Sequence, residues 1–220
     1  MNEPADGGRF LHDGPPDALA TVVLTHGAGA PMDSPALTAI ARGLGARGLH
    51  VVRFELPYMR RRREGGGRAG RPDSPAVLEA AWLEAIERLG GGPRLVIGGR
   101  SMGGRIASHV ADRAGVRGLV CLAYPFHPPG QPERLRTAHL RELHTPTLIV
   151  QGTRDPFGFP EEIADYALSP AIEIGWIESG DHSFKPRACS YPSNPGRTER
   201  ENLAEVVDLV ARFAHRLAVP

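Results

Sequence analysis

The chain has almost no lysine. Among 26 basic residues Lys185 is the only one, so positive charge is carried by arginine. With 25 acidic residues the formal net charge is +1, and nothing global points to nucleic acid or an anionic membrane as partner. Cysteine is equally scarce. Cys121 and Cys189 form no C-x-x-C pair, so they are expected to be free thiols rather than a disulfide or metal framework. No apolar run approaches the ~20 residues of a membrane span. Met1–Asp6 lacks a signal-peptide pattern, which makes the cytoplasm the expected location. No H-E-x-x-H or comparable ligand spacing occurs, so no metal or cofactor is implied.

What the chain does have is glycine, 27 residues of it, at the ends of short apolar runs. Leu95-Val96-Ile97 reads as a buried strand that turns through Gly98-Gly99-Arg100-Ser101-Met102-Gly103-Gly104 into a helix. Gly99 to Gly103 fits G-x-S-x-G, in which a serine on a sharp strand-to-helix turn pushes its hydroxyl out over the sheet edge. Alone the motif is weak, because a glycine-rich turn can also cradle phosphate; no lysine follows at Walker spacing.

Further strands are expected at Thr21–Thr25, His50–Leu56, Gly118–Ala123, Thr147–Gln151 and Ile172–Ile177, with a short edge strand over Arg9–His12. Between them fall helical patterns. Ser34-Pro35 opens one with Leu37, Ile40, Ala41 and Leu44 inward, and Ser74-Pro75 opens another with Leu78, Ala81, Trp82, Ala85, Ile86 and Leu89 inward. Glu133–Leu143 and Pro160–Leu168 are expected to be short helices, and a last one runs through Leu203, Val206, Val207, Val210, Ala214 and Leu217. Tyr58–Asp73, with Arg60 to Arg63 and then Gly65-Gly66-Gly67, is expected to be a solvated loop. The alternation predicts one α/β domain over residues 1–220, with a mostly parallel sheet of about six or seven strands and helices on both faces.

In such a sheet reactive groups gather beyond the carboxyl ends of the strands. A serine hydroxyl needs a base, and the base needs a third group to hold its tautomer. Ser101, Asp155 and His182 each follow a separate predicted strand, in nucleophile–acid–base order. Asp181 is a poorer acid, since it adjoins the same histidine. Backbone N–H groups of Ala28 and Met102 are the expected oxyanion donors, with His26 bracing the glycine-rich loop that carries Ala28. Tyr58, Met59, Phe126, Phe157 and Phe184 flank these loops, either as walls of an acyl pocket or as core filling.

The stretches His26–Ala30 (HGAGA), Arg53–Tyr58 (RFELPY), Gly98–Gly104 (GGRSMGG), Tyr124–Gly130 (YPFHPPG), Gly152–Gly158 (GTRDPFG) and Gly180–Phe184 (GDHSF) together carry a resemblance. The chain resembles a small serine α/β-hydrolase of the dienelactone-hydrolase-like kind. It is similar to the hydrolase-like domain of a testis-expressed protein and of a subunit of a non-specific-lethal histone acetyltransferase complex. The resemblance implies Ser101, Asp155 and His182 as triad and the loops at Ala28 and Met102 as oxyanion hole. Dienelactone hydrolases proper use a cysteine nucleophile, whereas this elbow carries Ser101. Only some twenty residues separate the strand ending at Ala123 from Thr147, so little or no lid is expected. The expected activity is hydrolysis of small carboxylic esters or thioesters. The competing expectation is a catalytically silent interaction module using Arg60–Arg63.

Overall fold

The computed structural model describes residues 9–65, 71–187 and 196–218. Its centre is one seven-stranded sheet of β1 (Phe10–Asp13), β2 (Thr21–Thr25), β3 (His50–Phe54), β4 (Leu95–Arg100), β5 (Gly118–Leu122), β6 (Thr147–Gly152) and β7 (Ile172–Ile177). The order across the sheet is β1-β3-β2-β4-β5-β6-β7. Every neighbouring pair is parallel except β1 with β3. The chain crosses one way from β2 to β3 and the other way from β4 to β5, so β2 and β4 flank the switch point where sites form in open α/β sheets.

Alternation along the strands feeds two separate cores. Val23, Ile97, Leu119, Cys121 and Ile149 face α3 (Pro75–Arg88) and α4 (Met102–Ala114), where Trp82, Ile86, Ile106 and Val110 are buried. Val22, Leu24, Val96, Val120 and Val150 face α1 (Pro35–Gly45) and α6 (Glu199–Ala218), through Leu37, Ile40, Leu44, Val206, Val210 and Phe213. A strand apolar on both faces has no solvent side to choose, and the parallel centre of the sheet is sandwiched accordingly. Edge strand β1 is held by more than its ladder: Arg53 in β3 donates to Asp13 at 2.8 and 3.1 Å, and to the Met32 carbonyl and the Thr38 hydroxyl.

Three expected elements differ. The arginine stretch is not a loop: α2 (Pro57–Gly65) starts at Pro57, buries Tyr58 and Met59, and carries Arg60 to Arg63 on its last turns. Arginine is a good helix former, and Arg62 and Arg63 oppose the negative pole at the helix end. Gly66 and Gly67 lie outside the described residues, as do Met1–Asp6 and Cys189. The helix expected over Glu133–Leu143 shrinks to a single 3₁₀ turn, Ala138–Arg141. Arg136 is the cause, because its N–H donates to the Phe126 carbonyl and its C=O accepts from the Tyr124 hydroxyl, which takes it out of any helical ladder. The helix expected over Pro160–Leu168 becomes α5 (Pro160–Ala164), which ends where the ladder tightens, the Asp165 and Tyr166 N–H groups donating to Glu162 O and Ile163 O. Residues 123–146, between β5 and β6, therefore hold one 3₁₀ turn and no inserted helical lid.

Candidate active site

Ser101 stands between β4 and α4 with φ +50° and ψ −118°, backbone that a side chain adopts only under strain. Its N–H donates to Leu122 O at 2.7 Å, tying the turn to β5. The two motif glycines are forced by close approach of β2. A Cβ on Gly99 would lie 2.5 Å from Thr25 O, and one on Gly103 2.5 Å from His26 O. Ser101 is left partly exposed at the sheet edge.

His182 follows β7 and Asp155 follows β6. Their side chains meet Ser101 in one chain: His182 Nε2 lies 2.9 Å from Ser101 Oγ, and Nδ1 lies 2.8 Å from Asp155 Oδ2. Asp155 is fully buried, while the His182 side chain keeps 23% of its surface. An ionised carboxylate only accepts, so Nδ1 carries the proton and Nε2 is free to accept from the serine. The same carboxylate accepts from the Phe157 N–H at 2.9 Å and from Gln151 Nε2 at 3.0 Å. A buried charge with three donors is well compensated. Asp181, the alternative acid, instead accepts from the Ser183 and Lys185 N–H groups and shapes the histidine loop.

The loop after β2 is braced as expected. His26 Nε2 accepts from the Leu56 N–H at 3.1 Å, so Nδ1 holds the proton and donates to Gly27 O at 2.7 Å. Burial lowers the pKa of His26, which suits a neutral ring in that role. Tyr58 donates to the Gly27 and Ala28 carbonyls at 3.3 and 3.0 Å. Burial pushes its phenol up to about 12, so the proton stays. Ala28 is exposed above this brace. Met102, first residue of α4, has no preceding turn to take its N–H.

Of the five aromatic and methionine candidates, four belong to the interior. Tyr58, Met59, Phe126 and Phe184 are at most 3% exposed and packed in the two cores, although Met59 also reaches the wall of a cavity beside Gly29 and Arg62. Phe157 is half-buried with its ring 4.2 Å from the His182 ring. Three cavities, of about 450, 730 and 480 Å³, lie over α2 and α3, between α1 and α6, and beside Gly29 and Arg62. None of these three has Ser101, Asp155 or His182 in its wall, and Ser101 and His182 are both partly exposed. Among the described residues no group of three or more His, Cys, Asp or Glu side chains is placed to hold a metal, and no helix is long and apolar enough to cross a membrane.

Gln151, Arg100 and Asn202 escaped the sequence reading. A glutamine ending the apolar run TLIVQ was a signal: it is fully buried and its amide also reaches Tyr124 O. Asn202 on the apolar stripe of α6 was another, and it donates to Phe184 O in the histidine loop at 2.8 Å. Arg100 gave none.

The family model for the alpha/beta hydrolase domain matches residues 18–215. The chain belongs to the α/β-hydrolase family. Solved structures agree with this α/β hydrolase in fold. A serine hydrolase homologue of Coxiella burnetii is 22% identical, with 92% of this chain and 89% of that one covered and a TM-score of 0.65. A serine hydrolase without lid from Xanthomonas campestris is 19% identical over 94% and 88% of the two chains, also at 0.65. A dienelactone hydrolase of Anabaena variabilis is 20% identical over 94% and 90%, at 0.67.

Proposed function

We propose that this α/β hydrolase is a serine hydrolase that cleaves small carboxylic esters or thioesters through an acyl-enzyme on Ser101. The single observation carrying the reading is the hydrogen-bond chain from Ser101 through His182 to Asp155. Ser101 Oγ attacks the acyl carbonyl as its proton passes to His182 Nε2, and Asp155 stabilises the imidazolium. The carbonyl oxygen becomes an oxyanion, held by the Ala28 and Met102 N–H groups at the positive end of α4. Collapse expels the alkoxide or thiolate with the proton from Nε2. Water, deprotonated by the same nitrogen, then releases the acid. No metal or cofactor enters any step. Phe157, beside His182, is the side chain we assign to the acyl or leaving group. The short connection between β5 and β6 favours accessible acyl groups. Within the family we place the chain with dienelactone-hydrolase-like proteins, near the hydrolase-like domains of the testis-expressed protein and the histone acetyltransferase subunit. The interaction-module reading loses ground, since Arg61 is paired with Asp73 and Arg63 with Asp33 and Glu55 inside the chain.

Exposure to a fluorophosphonate probe, followed by a panel of short p-nitrophenyl esters, tests the reading. Wild type is expected to label and to show a product burst, with both lost in Ser101→Ala and His182→Ala. A folded wild type that neither labels nor turns over an ester would sink it.

A further inference from the structure

Arg100 fills the variable position before the serine, where the motif itself makes no demand for arginine. Its backbone ends β4 and delivers Ser101. Its side chain goes elsewhere: Nη2 donates to the His182 carbonyl at 3.0 Å and to Ser183 Oγ at 2.8 Å, in the loop after β7. Nucleophile and base are thus set by one residue. Among the described residues no carboxylate lies within ion-pair distance of this guanidinium. Burial lowers its pKa, and the charges of Asp155 and Asp181 act the other way. A partly buried cation without a paired anion is costly, and no shorter neutral side chain reaches from the end of β4 to both acceptors, so arginine at this position is explained by the span it bridges.

We propose that Arg100 is a positioning residue that, by holding the loop after β7, fixes the His182 ring against Ser101. The proposal rests on the serine-hydrolase reading above. The charged groups around His182 are Asp155 after β6, Asp181 in its own loop and Arg100 at the end of β4. Farther out, Arg154 donates to the Ser179 carbonyl and Lys185 pairs with Glu199 on α6.

Arg100→Gln is two bonds shorter and loses both hydrogen bonds, whereas Arg100→Lys can replace them, because both come from Nη2 and an ammonium has three donors. For Arg100→Gln, kcat on one p-nitrophenyl ester should fall about tenfold or more with KM changed less than about twofold. Arg100→Lys should recover most of that loss. Arg100→Gln with wild-type kcat overturns the proposal. So does a loss confined to the melting midpoint or to KM. If Arg100→Gln fails to fold, Ser183→Ala, which removes one of the two acceptors, decides: kcat should fall, and an unchanged kcat overturns the proposal. A wild type inert to the probe defeats the hydrolase reading, whereas a labelled wild type beside an Arg100→Gln of unchanged kcat defeats this one.

Discussion

Among the described residues two serine–histidine contacts have nearly equal length, and only one has the geometry that the proposed nucleophile needs. Ser101 Oγ lies 2.9 Å from His182 Nε2, and Ser108 Oγ lies 2.8 Å from His139 Nε2. The difference is the direction of the hydrogen bond. Ser108 sits inside α4 and gives its proton to Arg105 O one turn back, so its oxygen can only accept from His139. Asp155 fixes the proton of His182 on the far nitrogen, so there the serine donates. Beside His139 stands the ring of His109, 4.1 Å away, and among the described residues no carboxylate lies within ion-pair distance of His139. Burial, with His109 and Arg105 adding to it, lowers His139 to about 4. Exposure completes the contrast, because Ser108 is 3% exposed while Ser101 faces solvent on a strained turn. A short contact is therefore weak grounds for a catalytic pair; the third group and the backbone decide.

The contrast breaks most sharply at the hydroxyls. Ser101→Ala should reduce ester turnover on the order of 10⁵-fold or more, measured by kcat on a p-nitrophenyl ester. Next comes the third group. Asp155→Asn should cost about 10⁴-fold in kcat, because the amide can donate to Nδ1 and hold the wrong tautomer, while the melting midpoint moves far less than the rate. The strained turn can be tested by Gly103→Ala, whose Cβ would sit 2.5 Å from the His26 carbonyl. About 1–3 kcal/mol of stability should be lost, read from the denaturant midpoint.

The smaller effects sit at the second pair. His139 prefers its neutral form in the folded chain, so the stability it contributes is full above 6.5, the ordinary imidazole value. That contribution is lost as pH falls from 6.5 towards about 4, where the unfolded chain binds the proton and the folded one does not. His139→Leu should flatten the denaturant midpoint against pH within that window. Ser108→Ala should leave kcat at the wild-type value and cost about 1 kcal/mol of stability.

Strand positions and the residues of the Ser101–His182–Asp155 hydrogen-bond chain were legible because each rests on a local signal: an apolar run of strand length, then a glycine, a Pro-flanked aspartate or a histidine. Ser101, Asp155 and His182 were found as strand-end residues, and the sheet brought them together. The pocket residues were not legible, since Phe126 and Phe184 enter the core only through backbone turns that no composition announces; Phe184 has φ +61°. The arginine stretch misled for a related reason. Its charge density suggested solvent, yet Tyr58 and Met59 on its first turn are buried, and Arg63 finds Glu55 just before the helix and Asp33 from farther back in the chain. Arg100 shows the limit most plainly, because a side chain that reaches the loop after the last strand leaves no trace in the spacing around it.

The most direct measurement is mass-spectrometric mapping of the residue that a fluorophosphonate modifies in the wild-type protein. The account predicts one phosphonylated residue, Ser101, with Ser108 unmodified and the adduct absent from His182→Ala. Modification at Ser108 or any other side chain, or none in a folded protein, would contradict it.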